Sequence, residues 1–303
     1  MEIVGFDSGM ADAVARCYRD AAASAPFCAP VEGRWFTDLG RLARHPVREE
    51  VVLVAREGAR IAGFVHAAVA APATEQWHVA GEPGVVRFLA YRPGERAVGK
   101  ALLEAAEAWL RGRGRAEIIA GHSAFMYPFY HLPFAHMSER MAHITALFGM
   151  AGYVPAESEV LFEWPEFDPP SVPRPGLDVE VRVERRDIDT LGPGVAVNAL
   201  RKGREVAECL MVRLDSQKWR PELAGRCFCS SLHVDDAFQG KGLGKHLLSV
   251  GLGEMKRDGM RHALISTEWN NHRAYLFYAN FGFRFLDRTF SFRKQLASGR
   301  RRA

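Results

Sequence analysis

Near residue 240 the chain reads Leu232-His233-Val234-Asp235-Asp236-Ala237-Phe238-Gln239-Gly240-Lys241-Gly242-Leu243-Gly244-Lys245 and continues into Leu247 and Leu248. The residues before Asp235 end a strand, the glycines make a turn, and the apolar spacing after Gly242 starts a helix. N–H groups in the first turn of a helix have no intrahelical acceptor, and the helix dipole adds partial positive charge there. Glycines let phosphate oxygens come up to that main chain, so the stretch suits a pyrophosphate. Two glycines alone could equally serve a tight turn, because glycine is the default residue wherever φ is positive. Gly240, Gly242 and Gly244 do not give the G-x-G-x-x-G of dinucleotide folds, and no Gly-Lys-Ser/Thr closes a P-loop. A second group with possible chemistry, His122, Tyr127, Tyr130, His131 and His136, lies in and beside the stretch Ser123 to Ser138. It lacks regular ligand spacing, so no metal is expected there, and its rings are expected to pack at a domain interface.

Gln239, Gly242 and Gly244 match motif A, Gln/Arg-x-x-Gly-x-Gly/Ala, of the GNAT superfamily of N-acetyltransferases. Downstream, Asn271-His272-Arg273-Ala274-Tyr275-Leu276-Phe277-Tyr278-Ala279-Asn280-Phe281-Gly282-Phe283 resembles motif B, Asn-x-x-Ala-x-x-Leu/Phe-Tyr-x-x-x-Gly-Phe, at every marked position. The resemblance implies an α/β (α+β) fold: a mixed sheet of roughly seven strands, splayed between the fourth and fifth and flanked by helices, with acetyl-CoA wedged into the gap. The pyrophosphate would rest on main-chain N–H groups of Gln239, Gly240, Lys241, Gly242, Leu243, Gly244 and Lys245. The pantetheine arm would add to Leu232, His233 and Val234 as an extra strand. It also implies that the Val234 N–H faces the thioester carbonyl, where a fixed donor stabilises the oxyanion formed when a neutral amine attacks. Tyr278 stands at the position of the family's general acid, and a reference pKa of about 10 suits it to protonate the departing thiolate. Asn271 is expected at the start of the same helix, capping it or touching CoA. An alkylammonium must lose a proton before it attacks; Glu268, after the strand Ala263 to Thr267, is the leading base, with His233 and Asp235 as alternatives.

These residues need a scaffold, and the pattern supplies one twice. In the first half, helical spacing over Ala11 to Ala23 and Trp35 to Ala43 precedes strands Val51 to Ala55, Ile61 to Val69 and Val85 to Tyr91. A helix from Val98 to Arg113 and a strand Glu117 to Ala120 follow. The second half has strands Leu177 to Val183, Val195 to Leu200, Glu205 to Leu214 and Cys227 to Val234, then a helix from Gly242 to Arg257. At an offset of 145 residues, Val98, Gly99, Lys100, Leu102, Leu103 and Gly114 fall on Leu243, Gly244, Lys245, Leu247, Leu248 and Gly259. This reads as duplication with divergence. In the first copy Gly94 replaces Gln239, Ala97 replaces Gly242, Met141 replaces Asn271 and Phe148 replaces Tyr278, so that copy is expected to be catalytically silent. The arrangement resembles two-domain GNAT proteins of the mycothiol synthase type. Pro169, Pro170, Pro173 and Pro175 mark a stiff linker, giving domains 1–166 and 177–296, a linker 167–176 and a basic tail 297–303. The short run Gly192-Pro193-Gly194 leaves no room for the helices that usually line a GNAT acceptor pocket, so the other domain or a second chain is expected to supply that wall.

The chain has 303 residues, 48% hydrophobic and 25% charged, which fits two folded domains. Its net charge of +4 owes much to Arg300, Arg301 and Arg302, so no nucleic-acid surface is inferred. Five cysteines frame neither paired disulfides nor a zinc ribbon, and no leader or membrane span is evident, which suggests the cytoplasm. The expected activity is acetyl-CoA-dependent acetylation of a primary amine on a small molecule, possible as a homodimer. A non-catalytic acyl-CoA sensor and a protein N-acetyltransferase are the alternatives.

Overall fold

The structure is a computed structural model that describes residues 1–37, 47–72, 81–188 and 191–296. The chain forms two units, Met1–Glu159 with Asp287–Ala303, and Val160–Leu286. In order, the elements are β1 (Glu2–Gly5), α1 (Ala11–Ala22), β2 (Val47–Glu57), β3 (Arg60–Ala70), β4 (Gly84–Tyr91), α2 (Arg96–Gly112), β5 (Glu117–Ala120), β6 (Met137–Ser138), α3 (Ala142–Met150) and β7 (Val154–Trp164). There follow β8 (Glu180–Ile188), β9 (Gly192–Arg201), β10 (Arg204–Arg213), β11 (Arg226–Val234), α4 (Leu243–Arg257), β12 (His262–Glu268), α5 (His272–Phe281) and β13 (Arg284–Gln295). The division between units falls inside β7 and inside β13.

In the first unit β1 to β4 form an antiparallel meander. β4 then runs parallel to β5 from Gly84↔Ile118 to Val86↔Ala120, a step that needs a crossover, supplied by α2. β5 next pairs antiparallel with the end of β13, Phe292↔Ala120 to Gln295↔Glu117. The expected C-terminal domain ended at 296, whereas the residues from Asp287 onward belong to this unit. Asp287 helps to fix them: its buried carboxylate accepts from His131 Nε2 at 2.9 Å and from Ser138 Oγ at 2.6 Å. α1 buries Val14, Ala15, Tyr18, Ala21 and Ala22, a stripe at helical spacing. Against it lie rings of the aromatic insertion, with Tyr18 5.0 Å from Phe129 and Phe88 5.5 Å from Tyr127. The insertion therefore contributes to this unit's own core. Of the helix expected over Trp35 to Ala43, Gly33–Phe36 is a 3₁₀ turn, and residues 38–43 lie outside the described residues.

Arg87 is the extra residue of a bulge, since His66 pairs with Phe88 and Ala67 with Val86. The kink accompanies a buried polar cluster. Arg87 Nε donates to Phe125 O at 2.8 Å, and its NH1 lies 3.2 Å from Glu50. His66 sits between Glu50 at 3.0 Å and the Tyr127 hydroxyl at 2.9 Å. Burial, and then the Arg87 cation, lower the His66 pKa to about 4, and burial lowers that of His136 to about 3. Both imidazoles are thus neutral when folded but titrate near 6.5 when unfolded. Between those values the unfolded state binds more protons, so stability must fall as pH falls. Urea unfolding at pH 4.5 is expected to lose about 2 kcal/mol relative to pH 7 from His66 alone. A pH-independent midpoint across that window would contradict the buried neutral state, and His66→Gln should flatten the slope.

In the second unit β8, β9, β10 and β11 are an antiparallel meander, and β11 runs parallel to β12 through the crossover helix α4. α4 buries Leu243, Leu247, Leu248, Leu252 and Met255. Gly251 lets it approach the sheet closely, because a Cβ there would lie 2.9 Å from Met211 Cγ. β8 begins at Glu180 and not at Leu177, and it carries Glu180, Arg182, Glu184, Arg185 and Arg186. Charges of this kind blunt an exposed strand, and they hide it from an apolar-pattern reading. The Pro-rich segment 167–176 also differs from the expected linker, since it lies within this unit and is bonded along α4. Ser249 Oγ donates to Pro170 O at 2.5 Å, and His246 Nδ1 is 2.8 Å from Val172 O.

Candidate active site

β11 pairs with β12 only from Arg226↔His262 to Cys229↔Ile265, whereas it pairs with β10 as far as Val234↔Ala207. The strands therefore part after Cys229. A bulge stands where they separate: Leu210 pairs with Ser231 and Met211 with Cys229, leaving Ser230 extra. Beyond the bulge the Asp235 N–H bonds to Val206 O on β10 at 2.9 Å. Because successive residues of an antiparallel strand alternate in direction, the Val234 N–H turns the other way, toward the edge that β12 has left.

After β11 the chain makes a 3₁₀ turn, Asp236–Phe238, and passes Gly240 and Gly242, both at positive φ. Gly242 is the N-cap of α4, with φ 84°, and no side chain caps that helix. Its first N–H groups are thus left for a ligand or solvent. Gly244 sits close under Val234, since a Cβ on it would be 3.3 Å from Val234 Cγ2. Gln239 braces the loop: its Nε2 donates to Val234 O at 2.8 Å and to Asp236 Oδ1 at 2.9 Å, while its Oε1 accepts from Arg273. On the far side α5 starts at Asn271, whose Oδ1 accepts the Ala274 N–H at 3.1 Å. One helical face further on, Tyr278 is buried, with its ring 5.9 Å from Phe162 and 5.6 Å from Phe277.

Between these elements lies a crevice of about 560 Å³, within the range of small-molecule sites. Every residue expected to hold the cofactor lines it except Lys241, whose ammonium instead donates to Ala237 O at 2.7 Å. Tyr278 and Val234 line it as well, but Glu268 does not, being exposed at the end of β12. Of the alternative bases, His233 lines the crevice, whereas Asp235 does not and is held by Arg204 at 2.9 Å. Sequence reasoning passed over Phe238, Arg273, Ala274 and Phe277, which also line it, although Phe238 directly precedes the first motif and the other three stand inside the second. The crevice walls carry Lys245 and Arg273 and no carboxylate, which suits a phosphorylated ligand.

The first unit has the same succession of elements, with different side chains at the end of β4. β4 and β5 part after Val86↔Ala120, and α2 and α3 take the places of α4 and α5. Tyr91, however, lies over Gly99, where a Cβ would be 2.4 Å from its ring. Its hydroxyl donates to His143 O at 2.6 Å, and His143 Nε2 donates to Tyr91 O at 2.9 Å, so the end of β4 is tied to α3. The residue before α2 is Glu95, whose carboxylate pairs with Arg60. Phe148 is buried against Tyr153 at 5.2 Å, and Met141 gives α3 no side-chain cap.

Residues 159–283, which lie almost wholly in the second unit, match the family model for acetyltransferases of the GNAT family. Three solved structures share its fold. A tandem GNAT protein from the clavulanic acid biosynthesis pathway, solved without AcCoA, has 17% identity and a TM-score of 0.64, over 97% of this chain and 98% of that one. A GCN5-related N-acetyltransferase from Sphaerobacter thermophilus has 18% identity and a TM-score of 0.62, over 97% and 95%. A GCN5-related glucosamine N-acetyltransferase region of a fungal multi-domain GH3 β-N-acetylglucosaminidase has 15% identity and a TM-score of 0.66, over 97% of this chain and 38% of that one. No curated protein matches the sequence. Among the described residues no helix is long and apolar enough to cross a membrane.

Proposed function

We propose that the second unit transfers an acetyl group from acetyl-CoA to a primary amine of a small molecule, and that the first unit is catalytically silent. The observation that carries this reading is the uncapped, glycine-lined start of α4 opening onto the gap between β11 and β12, opposite Tyr278. Acetyl-CoA would supply the activated acyl group as a thioester. Main-chain N–H groups from Gln239 to Lys245 would hold its phosphates, with Lys245 and Arg273 adding charge. The Val234 N–H, turned into the gap, donates to the oxygen on which negative charge develops. The Tyr278 hydroxyl provides the proton for the leaving sulfur, and the aromatic packing around the ring keeps it in place. Of the three candidate bases, His233 is the one on the crevice, with its Nε2 3.3 Å from Asp235 Oδ1, so we assign it the amine's proton. One structural neighbour is named for acetylation of glucosamine, a primary amine on a small molecule and thus of the proposed acceptor class. The free thiols of all five cysteines fit a reducing cytoplasm.

Cutting the chain at its proline-rich segment would strip the first unit of residues from Asp287 onward, so the test belongs on the whole protein. Calorimetry with acetyl-CoA is expected to find one site per chain, and thiol release should follow on adding an accepted amine. Turnover that survives the loss of acetyl-CoA binding at the second unit would refute the silent first unit, and no binding at all would refute the cofactor. Binding without turnover across a broad amine panel would favour a sensor.

A further inference from the structure

A second cavity, of about 300 Å³, opens beside the crevice in the second unit. Arg201, Lys202 and Arg204 at the β9–β10 turn line one side, and Asp235, Ala237 and Phe238 the other. Phe238 lines both cavities, so the basic one adjoins the loop that leads into α4. Its charge is poorly balanced. Arg204 pairs with Asp235, Arg201 reaches Asp178 only at 3.8 Å, and Lys202 makes no ion pair among the described residues.

The turn itself is unusual. Arg201 pairs with Arg204 across a two-residue connection in which Lys202 has φ 51° and Gly203 φ 79°. Such a turn favours Asn-Gly, and backbone preference disfavours a lysine at its first position. The first unit offers an internal comparison. Its corresponding hairpin has Glu57 opposite Arg60, and Arg60 is bonded both to Glu57 and to Glu95 before α2. There two carboxylates meet one cation; in the second unit Arg201, Lys202 and Arg204 have only Asp235 and, at 3.8 Å, Asp178.

We propose that Arg201, Lys202 and Arg204 form the subsite for the 3′-phosphate of CoA. This rests on the cofactor reading above and deepens it. CoA carries a phosphate monoester on the ribose joined to its pyrophosphate, and a monoester brings about −1.5 to −2 charges at pH 7. A cation-lined cavity next to the pyrophosphate loop matches that pair of anions in one ligand.

The test is calorimetry on the full-length protein with CoA and with dephospho-CoA. Wild type is expected to bind CoA roughly tenfold more tightly, as charge-assisted phosphate contacts would give. Lys202→Asn, which suits the turn, and Lys202→Asn with Arg204→Gln should progressively erase that preference while leaving dephospho-CoA affinity unchanged. Equal binding of the two ligands by wild type would overturn the subsite and leave the cofactor reading intact, whereas failure of both to bind would remove both. A preference that survives the double variant but is lost in Arg273→Ala would move the phosphate to α5 and overturn the proposal. So would variants that alter only the KM of an anionic acceptor, which would assign the cations to the acceptor.

Discussion

Replacing Tyr278 by phenylalanine is expected to lower kcat by a factor of about 10² to 10⁴, the usual worth of a positioned proton donor. Acetyl-CoA affinity should hardly move, because the ring keeps its packing against Phe162, Phe277 and Phe283. The first unit already shows that this fold accommodates a phenyl ring there, since Phe148 is fully buried in α3. A loss confined to kcat and kcat/KM would mark an interaction made in the transition state and not in the ground state. Turnover at the wild-type rate would remove Tyr278 from the chemistry.

The second large effect is expected at Gly242. Its backbone, at φ 84° and ψ −2°, is one that a β-branched residue adopts only with strain. Gly242→Val should rebuild the start of α4, misdirect the N–H groups that follow, and weaken acetyl-CoA binding by about 100-fold or more, an order suggested by losing two or so charge-assisted hydrogen bonds. Gly242→Asn is the control, because asparagine tolerates the left-handed region, and it should bind within a few-fold of wild type. Circular dichroism on both variants separates a lost site from a lost fold. Equal, near-wild-type binding by the two would mean that the conformation at 242 does not shape the site.

Much of this was legible in the sequence because it is local. The β-branched and apolar runs of β2, β3, β4 and β10 and the strand β5 announce themselves by composition, and α2 and α4 by their apolar stripes and their glycine-bounded ends. The crevice was legible too, since motif positions fix a turn conformation and a helix start within a dozen residues. What escaped depends on partners far away in sequence. Nothing in Arg284 to Gln295 says that its later half pairs with β5, for such a strand fits either unit. Nothing in Tyr91 or Gly99 alone reveals that the ring lies over the glycine and that its hydroxyl reaches α3. Phe238 and the Arg201 to Arg204 turn acquire meaning only when β9, β10 and the loop after β11 are brought together. Glu268 looked suitable by its place at a strand end, but a strand end can face solvent, as this one does.

The pairing of β13 with β5 also governs how the chain can be made. The first unit cannot complete its sheet when its own amino-terminal residues leave the ribosome, because the strand it lacks is synthesised only after the second unit. The whole second unit must emerge first, a delay on the order of ten seconds at ordinary elongation rates. Throughout that interval β5 presents an open edge, and its partner lies more than 160 residues downstream in sequence, so closure is slow as well as late. A nascent chain of this kind depends on whatever shields that edge, and premature termination anywhere before Asp287 would harm the end of the protein that was translated first.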